Sequence, residues 1–143
     1  MKNEGTSKYF KTEEAYETLT GVYEQNAPVT TKTHTYKTGA VYEGQWKGGM
    51  RHGTGMMKWS DGARYEGEWQ MNQAFGKGKF FHVEGDVYDG KWANNRANGY
   101  GIYTNIKGAR YEGMWMDDQQ HGEGVENWSE GARYEGEYKL GLK

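Results

Sequence analysis

Glu66 and Glu68 stand two positions apart between aromatic rings in "GARYEGEWQ", residues Gly62 to Gln70. Two carboxylates so placed could serve as a general acid and its partner, which in glycosidases face each other across a substrate at roughly 5–9.5 Å. The phrase returns, however, as "GARYEGMWM" from Gly108 and "GARYEGEYK" from Gly131. Acids that recur in every copy along one flat face have no single cleft to serve, so their spacing predicts a structural ladder. Gly-x-Gly pairs at Gly53/Gly55, Gly76/Gly78, Gly99/Gly101 and Gly122/Gly124 raise the question of phosphate loops. None reaches the third glycine of Gly-x-Gly-x-x-Gly, where Lys58, Phe81, Thr104 and Asn127 stand. His52 and His121 lie three repeats apart, whereas metal ligands must converge at about 2 Å. Cysteine is absent, and Ser7, Ser60 and Ser129 lack a Gly-x-Ser-x-Gly setting. No enzyme activity, cofactor or metal is expected.

The elements that carry these residues follow from the recurrence. Tyr42, Tyr65, Tyr88, Tyr111 and Tyr134 share one spacing, and Gly44, Gly67, Gly90, Gly113 and Gly136 follow each by two places. Trp46, Trp69, Trp92 and Trp115 come two places later, with Tyr138 in the fifth copy. Gly62, Gly85, Gly108 and Gly131 mark the unit ends, and Gly39 precedes the first. Register of this kind identifies a repeat protein. In each unit "YEGQW" or its equivalent alternates with period two, as a strand does. A polar loop follows, then a second short strand, then a turn carrying Asp61-Gly62 or Glu84-Gly85. Stacked hairpins give one long antiparallel ribbon.

Period two puts Tyr65, Gly67 and Trp69 on one face and Glu66 and Glu68 on the other. A register that interlocks large and small groups sets Trp69 against Gly78, Gly67 against Phe80 and Tyr65 against His82. The same register sets Trp46 on Gly55 and Trp92 on Gly101, and brings Glu43 to Lys58 and Glu68 to Lys79 as cross-strand pairs.

Composition agrees with a thin β architecture. Glycine numbers 23 with 12 Tyr and 6 Trp, while only 34% of residues are hydrophobic, too few for a thick core. So many rings also argue against disorder. The formal charge of −2 makes no case for nucleic acid. No apolar run approaches the roughly 20 residues of a membrane helix, and "MKNEGTSKYF" does not read as a signal peptide, so a cytoplasmic setting is expected.

The unit "YEGQWKGGMRHGTGMMKWSDGAR" resembles the MORN repeat (membrane occupation and recognition nexus): Tyr-Glu-Gly-x-Trp, a loop, Gly-x-Gly and an Asp-Gly-type turn. The resemblance covers Tyr42 to Tyr138. Asp89 replaces the Glu, Tyr138 replaces the Trp, and His82 and Asn105 stand where an aromatic is expected. It implies a ribbon of β-hairpins used for interaction, as in axonemal proteins of cilia, protist cytoskeletal scaffolds and junctophilins at membrane contacts. The expected organisation is an N-terminal extension over 1–34 and a repeat domain over 35–143. That domain holds a half-unit at 35–41, full units from 42, 65, 88 and 111, and a partial unit at 134–143.

Two readings of the aromatic stripe stay open. Tyr42, Trp46, Tyr65, Trp69, Tyr88, Trp92, Tyr111 and Trp115 could pack on one another, or they could receive a helix or extended peptide of a protein partner, since one sheet cannot bury both its faces. The expected role is a non-catalytic scaffold, with a cilium or cytoskeleton as its setting by resemblance. The alternative is a peripheral module on anionic phospholipid, which the acids in each unit disfavour. In the extension, Thr12 as N-cap and Ala15, Tyr16, Leu19, Val22 and Tyr23 at helical spacing predict a short amphipathic helix. At the other end "YEGEYKLGLK" leaves a strand edge, open to a second copy or to further repeats.

Overall fold

Alternating side chains and regularly spaced turn residues produce ten strands among the described residues. The computed structural model describes residues 9–10 and 27–142. Its strands are β1 (Val29–Thr35), β2 (Val41–Lys47), β3 (Met50–Lys58), β4 (Arg64–Gln70), β5 (Gln73–Phe81), β6 (Val87–Ala93), β7 (Arg96–Thr104), β8 (Arg110–Met116), β9 (Gln119–Asn127) and β10 (Arg133–Tyr138). All ten join one open antiparallel sheet in chain order. The helix expected over Thr12–Tyr23 lies outside the described residues. The sheet starts earlier than the expected boundary at residue 35. The β-branched, alternating stretch "VTTKTHT" pairs with β2 along its whole length, from Val29 opposite Lys47 to Thr35 opposite Val41.

Two turn types alternate. Within each hairpin two consecutive residues take positive φ: Gly48-Gly49, Met71-Asn72, Asn94-Asn95, Asp117-Asp118 and Leu140-Gly141. This is the geometry whose twist matches paired strands, and glycine, asparagine and aspartate tolerate it best. The second turn residue also ties its hairpin to the one before. Asn72, Asn95 and Asp118 accept the backbone N–H of Arg51, Ala74 and Ala97 through Oδ1, at 2.7–2.8 Å. Between units the chain turns at Gly62 and its equivalents, where the Gly62 N–H donates to Trp59 O at 3.0 Å.

The strand register differs from the large-against-small interlock by two residues before a bulge and by four past it. Tyr65 faces Phe80 and Gly67 faces Gly78; past a bulge, Trp69 faces Ala74. The other units repeat this: Gly44 faces Gly55 with Trp46 opposite Arg51, and Gly90 faces Gly101 with Trp92 opposite Ala97. An even shift keeps every side chain on its expected face but changes every partner. Two glycines meet because a tyrosine ring lies across both. A Cβ on Gly78 would stand 2.3 Å from the Tyr65 hydroxyl, and one on Gly67 would stand 2.4 Å from Gly78 Cα. The glycines thus make a floor for the ring, where the interlock had them spacing Tyr from Trp.

The charge pairs move with the register. Glu43 lies opposite Met56, and Lys79 lies between Glu66 on one side and Asp89 on the other. Glu66 also meets Arg64 at 3.3 Å. Exposed pairs of this kind contribute on the order of 0.2–1 kcal/mol. Glu68 instead sits at the bulge, where its Oε2 accepts the Lys77 N–H at 2.5 Å. Gln45 does the same for the Thr54 N–H at 2.7 Å. The two glutamates of the opening phrase therefore have separate tasks, a cross-strand partner and a bulge cap, and neither faces a cleft.

Candidate functional site

The face opposite the glutamates carries a ladder of rings. Each of the first four repeat tyrosines stands edge-to-face between the large ring of its own strand and that of the next unit. Tyr42 lies between Trp46 and Trp69, Tyr65 between Trp69 and Trp92, Tyr88 between Trp92 and Trp115, and Tyr111 between Trp115 and Tyr138. Centroid separations are 4.9–5.5 Å. Such pairs contribute about 0.5–1.5 kcal/mol each beyond burial.

Polar tips of the rings are satisfied by a regular pattern. Each tyrosine hydroxyl donates to the carbonyl three residues on: Tyr42 to Gln45, Tyr65 to Glu68, Tyr88 to Lys91 and Tyr111 to Met114, at 2.7–2.8 Å. Each tryptophan indole donates across to the preceding hairpin. Trp46 reaches Lys32 O, Trp69 reaches Gly55 O, Trp92 reaches Gly78 O and Trp115 reaches Gly101 O, at 3.0–3.1 Å. Burial pushes the hydroxyl pKa of Tyr42, Tyr65 and Tyr88 well above the ordinary value, and that of Tyr111 up to about 12.

All eight rings expected to take up a partner are therefore buried, the tyrosines fully and the tryptophans at 2–3% exposure. They form a floor. The side chains resting on it come from outside the repeats. Phe10 packs against Trp59, Tyr65, Trp69, Phe80 and Trp92 at centroid distances of 5.5–6.2 Å. Tyr9 packs on Trp59 at 5.0 Å and Phe80 at 5.4 Å, and its hydroxyl donates to Asp61 Oδ2 at 2.6 Å. Burial and the Asp61 carboxylate push the Tyr9 pKa up to about 12.

Sequence reasoning passed over Tyr9, Phe10 and Trp59, and read Phe80 and Asp61 only as a strand partner and a turn residue. Their only signals were weak: an adjacent aromatic pair in a polar stretch, and rings at the inward places of the second strand. It also passed over two polar groups on the same face. Arg51 is buried where later units carry Ala74 and Ala97, its guanidinium donating to Tyr36 Oη and Asn72 O. The guanidinium also lies 5.0 Å from the Trp69 ring centroid. Glu126 is buried where earlier units carry Met57, Phe80 and Tyr103, and it accepts the Tyr138 hydroxyl at 3.0 Å. Tyr138, which stands where the other units carry tryptophan, and Glu126 are thus hydrogen-bond partners.

A stereotyped Tyr–Gly–Trp lattice of this kind is open to comparison with known proteins. The MORN repeat family model matches residues 42–64, 65–87, 88–110 and 111–133. The chain belongs to the MORN-repeat family. Its four matched units are the hairpin pairs from β2 through β9, and the family's repeat carries a binding or scaffold role. No curated protein matches the MORN-repeat chain by sequence. Among solved structures, it is similar to a catalytically inactive virginiamycin B lyase from Staphylococcus aureus with Quinupristin, at 16% identity. The match covers 86% of this chain and 45% of that one, and its TM-score of 0.22 carries no argument about fold or activity.

Proposed function

We propose that this MORN-repeat sheet is a non-catalytic scaffold that binds a segment of a partner protein, a helix or an extended peptide, over its aromatic face. A cilium, axoneme or cytoskeleton is the proposed setting, by the family's habits. The observation that carries the reading is the seating of Tyr9 and Phe10, because it shows aromatic side chains from outside the repeats lodging on the ring floor. One sheet leaves a second layer to be supplied, and this face supplies rings over which such a layer packs.

The test is photo-crosslinking in the native cell from two positions of the full chain. His82, half-buried on the aromatic face beside Phe80 and Tyr103, is one site. Phe75, exposed on the opposite face, is the other. A discrete protein adduct from position 82 and none from 75 is the expected result. The reverse pattern moves the interface to the charged face.

Anionic phospholipid remains the alternative. Against it, one cross-strand row of the charged face carries Glu43, Glu66, Asp89, Glu112 and Glu135. Flotation with phosphatidylserine vesicles is expected to leave the protein in the dense fraction; salt-sensitive flotation reverses the order of the two readings. The edge of β10 is a third surface, suited to pairing with a second copy, and light scattering measures that association.

A further inference from the structure

The two residues seated on the ring floor leave one of its polar groups without a partner. Phe10 reaches rings from three successive hairpin units, and both Tyr9 and Phe10 are buried, at 7% and 4% exposure. Beneath them Trp59 is 5% exposed, and among the described residues its indole N–H has no hydrogen-bond acceptor. The contrast with the ladder is direct, since Trp46, Trp69, Trp92 and Trp115 each donate to a carbonyl. A buried donor left unsatisfied costs about 1–3 kcal/mol. Tyr9 and Phe10 therefore match the shape of the site but leave one of its polar groups unmet.

We propose that Tyr9–Phe10 is an internal latch that holds the partner's place on the aromatic face, and that the displacing segment brings two adjacent aromatic side chains and a hydrogen-bond acceptor for Trp59 Nε1. The inference deepens the scaffold reading above and rests on it for the existence of the partner. Its physical basis is competition. An occupant joined covalently to the sheet competes intramolecularly with any segment added from solution, so it excludes weak aromatic contacts. A segment that satisfies the Trp59 N–H gains what the latch lacks, and its apparent affinity is reduced only by the fraction of molecules with the site closed. The Tyr9 hydroxyl bond to Asp61 adds direction, since it fixes which aromatic residue of the pair lies toward the unit turn.

The test uses the full chain and its Tyr9→Ala/Phe10→Ala variant, both of which keep every repeat residue. The probe is the synthetic octapeptide Ser-Lys-Tyr-Phe-Lys-Thr-Glu-Glu, the sequence of residues 7–14. The readout is the set of indole N–H resonances, which also reports folding. In the variant the peptide is expected to move the Trp59, Trp69 and Trp92 signals and leave Trp115 in place. Its dissociation constant there is expected to be at least tenfold lower than for the wild type. Equal affinity for both proteins, or no binding to a folded variant, overturns the latch.

Tyr9→Phe gives a milder second variant, expected to fall between the two; affinity identical to wild type removes the hydroxyl from the account. A peptide with asparagine in place of both lysines offers amide acceptors beside the aromatic pair, and should bind more tightly and move the Trp59 indole proton downfield. An unmoved Trp59 proton refutes the acceptor requirement. Because the probe is the protein's own segment, this titration decides on the latch whatever the crosslinking experiment finds about a partner.

Discussion

Gly78→Ala is the sharpest perturbation of the lattice. Gly78 is not at positive φ, so an alanine there carries no backbone penalty and its cost is steric. The new methyl would stand 2.3 Å from the Tyr65 hydroxyl and 2.5 Å from two ring carbons. The ring cannot retreat, because its hydroxyl is held by Glu68 O at 2.7 Å and its faces by Trp69 at 5.0 Å and Trp92 at 5.2 Å. Overpacking costs about 1–3 kcal/mol, and losing the tyrosine hydrogen bond about 0.5–1.5 kcal/mol. Stiffening the unfolded chain offsets about 0.4–1 kcal/mol. The net expectation is a loss of about 2–3 kcal/mol. With an m-value of ~1.5 kcal/mol/M, the urea midpoint should fall by ~1.3–2 M at unchanged slope. Tryptophan fluorescence during urea unfolding measures it. Gly62→Ala is the control: it has open space within 4 Å but φ of +101°, so it tests backbone strain alone, at about 1–2 kcal/mol. A Gly78→Ala midpoint within 0.3 M of wild type (~0.5 kcal/mol) would refute the ring-floor account.

Further expectations concern single groups. Glu68→Ala, which strips the acceptor from the Lys77 N–H, should cost about 0.5–1 kcal/mol in the same urea assay, while Glu68→Gln should stay near wild type because Gln45 already caps the first bulge. Trp92→Ala removes a ring shared by Tyr65, Tyr88 and Phe10 along with a hydrogen bond to Gly78 O, and should cost about 3–5 kcal/mol. A repeat tryptophan is therefore a probe of folding before it is a probe of binding; a loss below 1.5 kcal/mol would show that the ladder is loosely packed. Alkali should release the latch. The folded Tyr9 pKa of about 12 lies above its ordinary 10.0, so the stability it contributes is complete below pH 10 and lost as pH rises toward 12. The Trp59 indole resonance should shift across that window in wild type and not in Tyr9→Phe.

Some of this was legible in the primary structure. Tyr65, Gly67 and Trp69 recur at fixed spacing, so strand identity, the two faces and the antiparallel ribbon follow from period and turn chemistry. Partner residues across the hairpin were not legible. The Gly76 bulge moves Trp69 to Ala74, and no local rule distinguishes that from Trp69 opposite Gly78. Arg51 and Glu126 were visible only as departures from the repeat. Their joint burial with Tyr36 and Tyr138 depends on which side chains the stacked hairpins bring together.

By itself, the sequence determined that the chain repeats, that it belongs among MORN-repeat proteins, and that rings occupy one face and acids the other. These are local, periodic properties, each written within one 23-residue unit. Only the tertiary structure decided that the repeat rings are a floor and not an open row, because a ring's exposure depends on the neighbouring hairpin's tryptophan. It alone brought Tyr9 and Phe10 onto that floor. Contact between a segment at residue 10 and rings as distant as Trp92 arises from packing across the sheet, and no spacing along the chain encodes it.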